Sequence, residues 1–378
     1  MCFRCACLCL RCLQPFSDMT PLFPSLLSFL PPLCPLLLRP STLVSLFPTS
    51  MSSLPAAAFN PRVSLFPAYL PLHPFSPPRT HECMEQEGEQ GRMPVTIMSL
   101  LLPEHNEPQQ QQAEGHGRRA AVILLHSTGK SKEALLGRQK ELACLNLIAI
   151  TCDLRYHGAR ASSPAAYSDA LVRAWRTGQE MPFVFDPVWD VLRLLDYLTA
   201  VHSDTIDPSR IAITGVSLGG MVAWLAATAD PRIAAAAPMI GVQCFHWAVD
   251  NNCFHDRVAS IPHAFNAAAE DMGKTHVDAE VVTAVWNRIT PGLLQHFGPY
   301  NSLPAICPRP LLILNGESDP RCPVEGLRRA LQRAEEAYSR AGVANHFEFH
   351  VEKGVGHEVT EAMWRKAVAW MQTHLVAQ

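Results

Sequence analysis

Short apolar runs alternate with amphipathic stretches from about residue 94 to the end of the chain. Helical periodicity predicts helices at 188–197, 219–228, 324–341 and 360–375. The apolar runs are rich in Val and Ile and bounded by turn residues, which predicts buried strands of a parallel sheet. This alternation predicts an α/β fold, a mostly parallel twisted sheet with helices on both faces. The predicted strands are 95–102, 120–125, 147–152, 211–215, 233–239, 310–315 and 347–351.

Two segments interrupt the alternation. Residues 108–117 contain four consecutive glutamines and are expected to form an exposed flexible loop. Residues 243–303 are far longer than an ordinary loop of roughly 4–6 residues, and helical patches at 257–272 and 277–288 predict a small helical cap. We expect its aromatic residues to line a pocket for apolar acyl or aromatic groups. These are Phe245, Trp247, Phe254, Phe265, Trp286 and Phe297.

The first eighty residues have a different composition, with 15 of the 32 prolines and 6 of the 13 cysteines. Proline at this density excludes a membrane-spanning helix even in the apolar stretch 22–38, because each proline removes a backbone donor. Three interpretations remain: an organellar transit peptide, a disordered extension, or a segment that is not normally translated, with the start near Met84 or Met93. The predicted organisation is therefore an extension over 1–80 and a folded domain over 94–378.

Charge and cysteine usage narrow the class of protein. The whole chain of 378 residues has a formal charge of −3, and residues 81–378 carry 26 basic and 33 acidic side chains. That balance gives no basic surface for a nucleic-acid or anionic-membrane partner. Five N-terminal cysteines could bind a soft metal or accept lipid, but with no second cluster an unstructured role is favoured. The seven cysteines beyond residue 80 are scattered, which favours a cytoplasmic or organellar (plastid) stromal location.

The segment from Ile211 to Gly220 reads IAITGVSLGG and carries the strongest chemical signal. A buried strand enters G-x-S-x-G and a helix follows at once, which is the context of a nucleophile elbow. The glycines at 215 and 219 let strand and helix approach closely. Ser217 is then expected to stand above the sheet at the positive end of the helix, as a nucleophile.

A serine nucleophile needs a base and a carboxylate to orient that base. Asp319 follows the predicted strand 310–315, and His357 follows the last predicted strand. Ser217, Asp319 and His357 each come after a strand, in the chain order of α/β-hydrolases. Asp319 could instead be a turn residue, and Glu317 is a rival acid. The three other C-terminal histidines are interpreted as structural: His346, His350 and His374.

Two backbone amides are expected to form an oxyanion hole. One is the amide of Leu218, directly after the nucleophile. The second is that of Thr128, in the tight turn that follows the predicted strand 120–125. His126 could be a metal ligand or a second base, but a residue packed under this loop is the favoured interpretation.

The stretch from about residue 95 to 375 resembles the α/β-hydrolase superfamily, in the branch of dienelactone-hydrolase-like esterases and prolyl-oligopeptidase-type catalytic domains. The motifs that carry the resemblance are RIAITGVSLGG, LLILNGESDPRCP, GVGHE and DLRYHGAR. The resemblance implies the roles of nucleophile, acid and base for Ser217, Asp319 and His357. The chain has His126-Ser127 where these proteins usually have His-Gly, so a Cβ is expected to narrow or tilt the oxyanion loop. The sequence contains no upstream β-propeller, which argues against a gated oligopeptidase.

The functional hypothesis is a serine hydrolase that cleaves carboxylic esters or thioesters through an acyl-enzyme intermediate. A peptidase or amidase would use the same triad, and a non-catalytic receptor or pseudoenzyme could use the same fold. The expected partner is a small acyl substrate. No metal or organic cofactor is expected, because the triad supplies nucleophile and base by itself. The sequence does not indicate an oligomeric state.

Overall fold

A computed structural model describes residues 64–71, 89–99 and 117–376 of the chain. Within them a single eight-stranded sheet has the order β1-β2-β4-β3-β5-β6-β7-β8. Neighbouring strands from β4 to β8 run parallel, which confirms the predicted mostly parallel sheet. The strands are β1 (Ser64–Pro71), β2 (Arg92–Met98), β3 (Arg119–Leu125), β4 (Ile148–Cys152), β5 (Ile206–Val216), β6 (Ile233–Met239), β7 (Leu311–Gly316) and β8 (Phe347–Glu352).

The direction of β2 corrects one expectation. The sequence predicted a parallel strand over 95–102, but β2 covers Arg92–Met98 and pairs antiparallel with β4, with Ile97 opposite Ile150. A strand whose two faces are both largely buried has the same apolar pattern in either direction. Only a helical crossover would have required the parallel arrangement.

The strand order places a topological switch point between β3 and β5. The chain leaves β3 toward β4 on one side and later returns to β5 on the other, so the two strands are neighbours although β4 lies between them in sequence. Their register pairs Leu125 with Gly215. Open parallel sheets bind ligands in the crevice beyond the carboxyl ends of such strands. The loops after β3 and β5 are those that hold Thr128 and Ser217.

Helices cover both faces of the sheet, as predicted. In β3, Ile123 packs into one apolar cluster and Leu124 into the other, which is the alternation of a strand. Helices α1 and α11 cover the side of Leu124, whereas α3, α4 and α10 contribute to the larger cluster. The helices of the main domain are α1 (Leu136–Cys144), α2 (Ala166–Thr177), α3 (Phe185–Val201), α4 (Leu218–Ala229), α10 (Val324–Arg340) and α11 (Glu361–Val376).

The sequence pattern missed α1 and α2. The buried face of α1 includes Gln139, whose side-chain amide donates to the carbonyls of Thr96 and Ala149 at 2.9 Å. A polar residue at a core position hides the helical period. The buried face of α2 is mostly alanine, which gives a weak apolar signal.

The predicted cap lies between β6 and β7 and is helical. Its helices are α5 (Phe245–Asp250), α6 (His255–Ser260), α7 (Pro262–Asp271), α8 (Ala279–Ile289) and α9 (Pro299–Ser302). The patch predicted at 257–272 is split, because Pro262 stands at the first turn of α7 and cannot continue α6. Helix α8 begins where the Asp278 carboxylate accepts a hydrogen bond from the Val281 amide at 2.9 Å.

The N-terminal region is described only in part. Residues Ser64–Pro71 fall inside the extension predicted over 1–80, yet they pair antiparallel with β2 as an edge strand, a position that tolerates proline. The rest of that extension, with its cysteine cluster, and most of the loop predicted at 108–117 lie outside the described residues. Within the described ranges, no helix combines the length and apolar composition needed to cross a bilayer.

Trp286 is the centre of the cap core, with ring centroids 4.9–5.2 Å from those of Phe183, Phe245 and Phe265. We expect Trp286→Ala to lower the free energy of unfolding by about 3–5 kcal/mol, because it leaves a cavity. Urea denaturation checks this value. Trp189→Ala is the control, since Trp189 is 48% exposed and should cost no more than about 0.5 kcal/mol. Equal losses in the two variants would contradict the packing described.

Candidate active site

Ser217 lies at the turn between β5 and α4 in a backbone conformation that non-glycine residues rarely adopt. Its φ is 54° and its ψ is −107°. Its amide donates to the Met239 carbonyl at 3.0 Å, and its carbonyl accepts from Met221 at 2.9 Å. These bonds hold the strained turn in place. The G-x-S-x-G segment therefore has the geometry of an elbow.

Two glycines make this turn possible. A Cβ on Gly215 would lie 2.5 Å from the backbone carbon of Gly219. A Cβ on Gly219 would lie 2.4 Å from the Leu125 carbonyl oxygen at the end of β3. Since both obstacles are backbone atoms, neither can move aside cheaply. The first turn of α4 is thus pressed against the end of β3.

The structure brings the three sequence-predicted side chains into one hydrogen-bonded row. Ser217 Oγ lies 2.8 Å from His357 Nε2, and His357 Nδ1 lies 2.8 Å from Asp319 Oδ2. The serine and the aspartate are almost completely buried, and the histidine side chain is 13% exposed. Ser217 follows β5, Asp319 follows β7 and His357 follows β8. This is the arrangement in which a base can take the serine proton while a carboxylate orients it.

Asp319 is held by its own loop. Its Oδ1 accepts the amides of Arg321 and Cys322 at 2.8 and 3.1 Å, which leaves Oδ2 for the histidine. The rival acid Glu317 is exposed and accepts instead from the Gly354 amide at 3.0 Å. The histidines at 346 and 374 stack on each other, with ring centroids 5.2 Å apart. Among the candidates discussed, only Asp319 and His357 join the hydrogen-bonded row with Ser217.

The two predicted oxyanion donors lie in the segments that follow β5 and β3, which are neighbouring strands. Leu218 is the first residue of α4, and an amide at that position has no intrahelical acceptor. Thr128 lies in the turn after β3. The left-handed residue of this turn is Gly129, with φ 71°, and not Ser127. The Cβ of Ser127 therefore does not force its backbone into a strained conformation.

The oxyanion loop is braced by the loop that follows β4. His126 is fully buried, its Nε2 accepts the Leu154 amide at 3.0 Å, and its Nδ1 donates to the Ser127 carbonyl at 2.9 Å. Burial lowers the pKa of His126. Both ring nitrogens are occupied, so His126 is a structural residue. Asp153 adds a second brace, since it accepts both the amide and the ammonium of Lys132 at 2.9 Å.

The cavity next to this loop is not the aromatic pocket expected from the sequence. A cavity of about 350 Å³ lies between Thr128–Lys130, α2 and the cap residues 260–263, and Tyr156, His157 and Tyr167 line it. Phe245, Phe254, Phe265 and Trp286 are at most 3% exposed and line neither cavity. They pack into the cap core because contact with one another removes more apolar surface from water than lining an open pocket would. A depression of about 640 Å³ near Trp175 and Arg288 contains no candidate site residue.

One group of side chains could be considered for a metal. Ligand atoms of Asp319, Cys322 and His357 lie within 4.8 Å of one another. However, the aspartate and the histidine bond to each other, and burial raises the pKa of the Cys322 thiol to about 12. The Arg257 guanidinium also lies 3.6 Å from the sulfur. These features disfavour a cation at this position.

Comparison with known proteins identifies a family for the C-terminal half of the chain. The sequence profile of the prolyl oligopeptidase family matches residues 185–377. The protein YtaP of Bacillus subtilis (strain 168), whose name describes it as a hydrolase, is 28% identical over 188 residues. That alignment covers 50% of this chain and 53% of YtaP, so the chain spans about half the length of this relative.

Two solved structures illustrate the range of similar folds. An acetyl xylan esterase from Paenibacillus sp. R4 is 18% identical, with 75% of this chain and 80% of that chain covered and a TM-score of 0.49. A puromycin-hydrolyzing peptidase from Mycobacterium tuberculosis is also 18% identical, with 75% of this chain and 37% of that chain covered and a TM-score of 0.48.

The close approach at the elbow predicts that Gly219→Ala is harmful. The new Cβ must push the Leu125 carbonyl away, at a cost of about 1–3 kcal/mol in the free energy of unfolding. Urea denaturation measures the cost. Gly137→Ala is the matched control, because it lies in a helix with open space around it. That variant should be stabilised by about 0.5–1 kcal/mol; an equal response at the two positions would argue against the contact.

Acid should destabilise the fold through His157. Burial, together with the nearby His126, lowers the pKa of His157 to about 4. The unfolded chain binds this proton below about pH 6.5. The free energy of unfolding should therefore fall as the pH drops from about 6.5 to 4, by up to about 1.4 kcal/mol per unit for this group.

Urea denaturation at several pH values checks this dependence, with His157→Gln as the variant. Glutamine does not titrate, so its curve should be shallower over this window even if its stability at pH 7 is lower. Parallel curves for the two proteins would contradict the buried neutral histidine.

Proposed function

Because the chain belongs to the prolyl oligopeptidase family, we propose that it is a serine hydrolase that cleaves carboxylic esters or thioesters. The observation that carries the proposal is the hydrogen-bonded row from Ser217 Oγ through His357 to Asp319, with 2.8 Å at each step. On an exposed surface these hydrogen bonds would be weaker, because water would compete for each donor and acceptor. Here the nucleophile and the acid are buried.

The proposed reaction begins at the serine. His357 Nε2 takes the Ser217 proton while Oγ attacks the acyl carbonyl. The Asp319 carboxylate accepts a hydrogen bond from the Nδ1–H group of His357, which fixes the tautomer and stabilises the imidazolium that forms. The amides of Leu218 and Thr128 then donate to the developing oxyanion, where the N-terminus of α4 also favours negative charge.

The acyl-enzyme forms and is then hydrolysed with His357 acting first as an acid and then again as a base. His357 gives its proton to the departing alcohol or thiol, and the acyl group stays on Ser217. A water molecule that loses its proton to the same histidine then attacks the ester. The free acid leaves and the serine recovers its proton. Every step uses side chains and amides of the chain, so the proposal requires no metal or organic cofactor.

A second candidate is cleavage of a peptide or amide bond. The family match favours it, because the family is named for an oligopeptidase. The chemistry at Ser217, His357 and Asp319 would be the same, and only the leaving group would differ. Rates on p-nitrophenyl esters and on peptidyl p-nitroanilides, compared at equal enzyme concentration, would separate the two.

Labelling with a fluorophosphonate probe tests the proposal. The protein should be labelled at one residue, and Ser217→Ala should abolish the label because Ser217 Oγ is the nucleophile of the proposed reaction. His357→Gln and Asp319→Asn should reduce kcat on p-nitrophenyl esters by about 10³–10⁴-fold. Glu317→Gln is the control for a neighbouring acid and should leave kcat unchanged. Labelling of Ser217→Ala equal to that of the parent protein would refute the nucleophile.

A further inference from the structure

Among the residues that the structure describes, Arg257 in α6 is a buried cation without a directly paired carboxylate. The residue is 3% exposed. Its Nε donates to Gln243 Oε1 at 2.7 Å, and its Nη2 lies 3.6 Å from Cys322 Sγ. Among the ion pairs of the described residues, none involves Arg257, although side-chain carboxylates and arginines pair at many other places. An amide and a thiol provide no charge to balance the guanidinium.

Two other arginines show how this chain normally compensates such a charge. Arg160 is fully buried and pairs with Asp190 at 2.7 Å. Arg309 donates to three carbonyls at 2.6–3.0 Å around the C-terminus of α4, where the helix dipole is negative. Arg257 has neither solution. A buried charge without a counter-charge is costly, so a missing anion is indicated.

The two nearest acidic groups cannot supply that anion. The oxygens of Asp319 are taken by two backbone amides and by His357. Burial raises the pKa of the Cys322 thiol to about 12, so the sulfur is neutral at pH 7. Within the described residues, Arg257 therefore has no directly paired carboxylate, and Asp319 acts on it only as a more distant charge.

The position of Arg257 connects this missing anion to the substrate. The Cys322 sulfur that it contacts lies within 4.8 Å of ligand atoms of Asp319 and His357. Residues 260–262, directly after Arg257 in the chain, line the cavity beside the oxyanion loop. Tyr167 lines the same cavity, is 9% exposed, and has a buried hydroxyl with no hydrogen-bond partner. The Tyr167 hydroxyl is thus an unsatisfied donor on this side of the site.

We propose that Arg257, assisted by the Tyr167 hydroxyl, binds a carboxylate of the substrate and selects anionic esters or thioesters. This inference rests on the proposed function, since the bound molecule is the one that Ser217 attacks. A guanidinium and a phenol present several N–H and O–H donors to a carboxylate that has only acceptors. The carboxylate replaces the absent counter-charge, so its binding relieves the cost of the buried cation.

Paired substrates test the specificity and locate the carboxylate. p-Nitrophenyl hemisuccinate carries it on the acyl side, and p-nitrophenyl butyrate is its neutral counterpart. 4-Acetoxybenzoate carries it on the leaving group, and 4-acetoxybenzamide is the neutral counterpart. The parent protein should prefer one anionic ester over its neutral partner by about 10–100-fold in kcat/KM.

Arg257→Gln should abolish that preference, because it should lower kcat/KM of the anionic ester at least about 10-fold more than kcat/KM of its neutral counterpart. Tyr167→Phe should reduce the preference by several-fold, as for one lost hydrogen bond. Arg257→Lys keeps the charge and should retain part of it. Arg328→Gln, an exposed residue of α10, is the control and should change neither rate. Thermal denaturation of each variant establishes whether it is folded. If Arg257→Gln does not fold, Tyr167→Phe and Arg257→Lys provide the test of the anionic preference.

A binding measurement separates this inference from the proposed function. Ser217→Ala, titrated with monomethyl succinate and monomethyl glutarate by calorimetry, should bind at least one of them, and adding Arg257→Gln should weaken binding by about 10-fold or more. If the parent hydrolyses neutral esters but shows no anionic preference, the carboxylate site is refuted and the hydrolase stands. If no ester is cleaved but binding depends on Arg257, the proposed function fails and the anion site stands. Equal binding with and without Arg257 overturns the inference.

Discussion

The contact between the start of α4 and the end of β3 is the constraint on which the site depends. Ser217 keeps a φ of 54° because β6 and α4 both form hydrogen bonds with its backbone. The turn can lie so close to Leu125 only because residue 219 has no side chain. This approach brings the amide of Leu218 and the loop of Thr128 to one crevice. The geometry of the whole candidate site follows from it.

The remaining loops are tied to this contact by polar side chains at buried positions. His126 joins the loops after β3 and β4, and Asp153 reinforces that link through Lys132. Asp319 is fixed by amides of its own loop before it reaches His357. Arg257 extends the network into the cap through Gln243 and Cys322. The cap is thus joined to the loop of Asp319 by a charged residue.

Much of this arrangement could be predicted from the sequence. Six of the seven predicted strands have the expected direction, and the motifs around Ser217, Asp319 and His357 identify the three side chains that the structure brings together. The errors have physical causes. The direction of β2 depends on its pairing with β4, which an apolar pattern does not encode. Helix α1 was missed because a polar residue, Gln139, occupies a core position and interrupts the apolar pattern. Its side chain donates hydrogen bonds to backbone carbonyls there.

The sequence by itself determined the local chemistry: which residues follow each strand, where glycine permits a tight turn, and which side chains can act as nucleophile, acid and base. These properties depend on neighbours within a few residues. Only the tertiary structure decided that the aromatic residues of the cap pack against one another. It also decided that both ring nitrogens of His126 form hydrogen bonds with the backbone, and that Arg257 is buried without a directly paired carboxylate among the described residues. Burial and charge balance arise from contacts between distant segments, and a linear pattern contains no information on which segments meet.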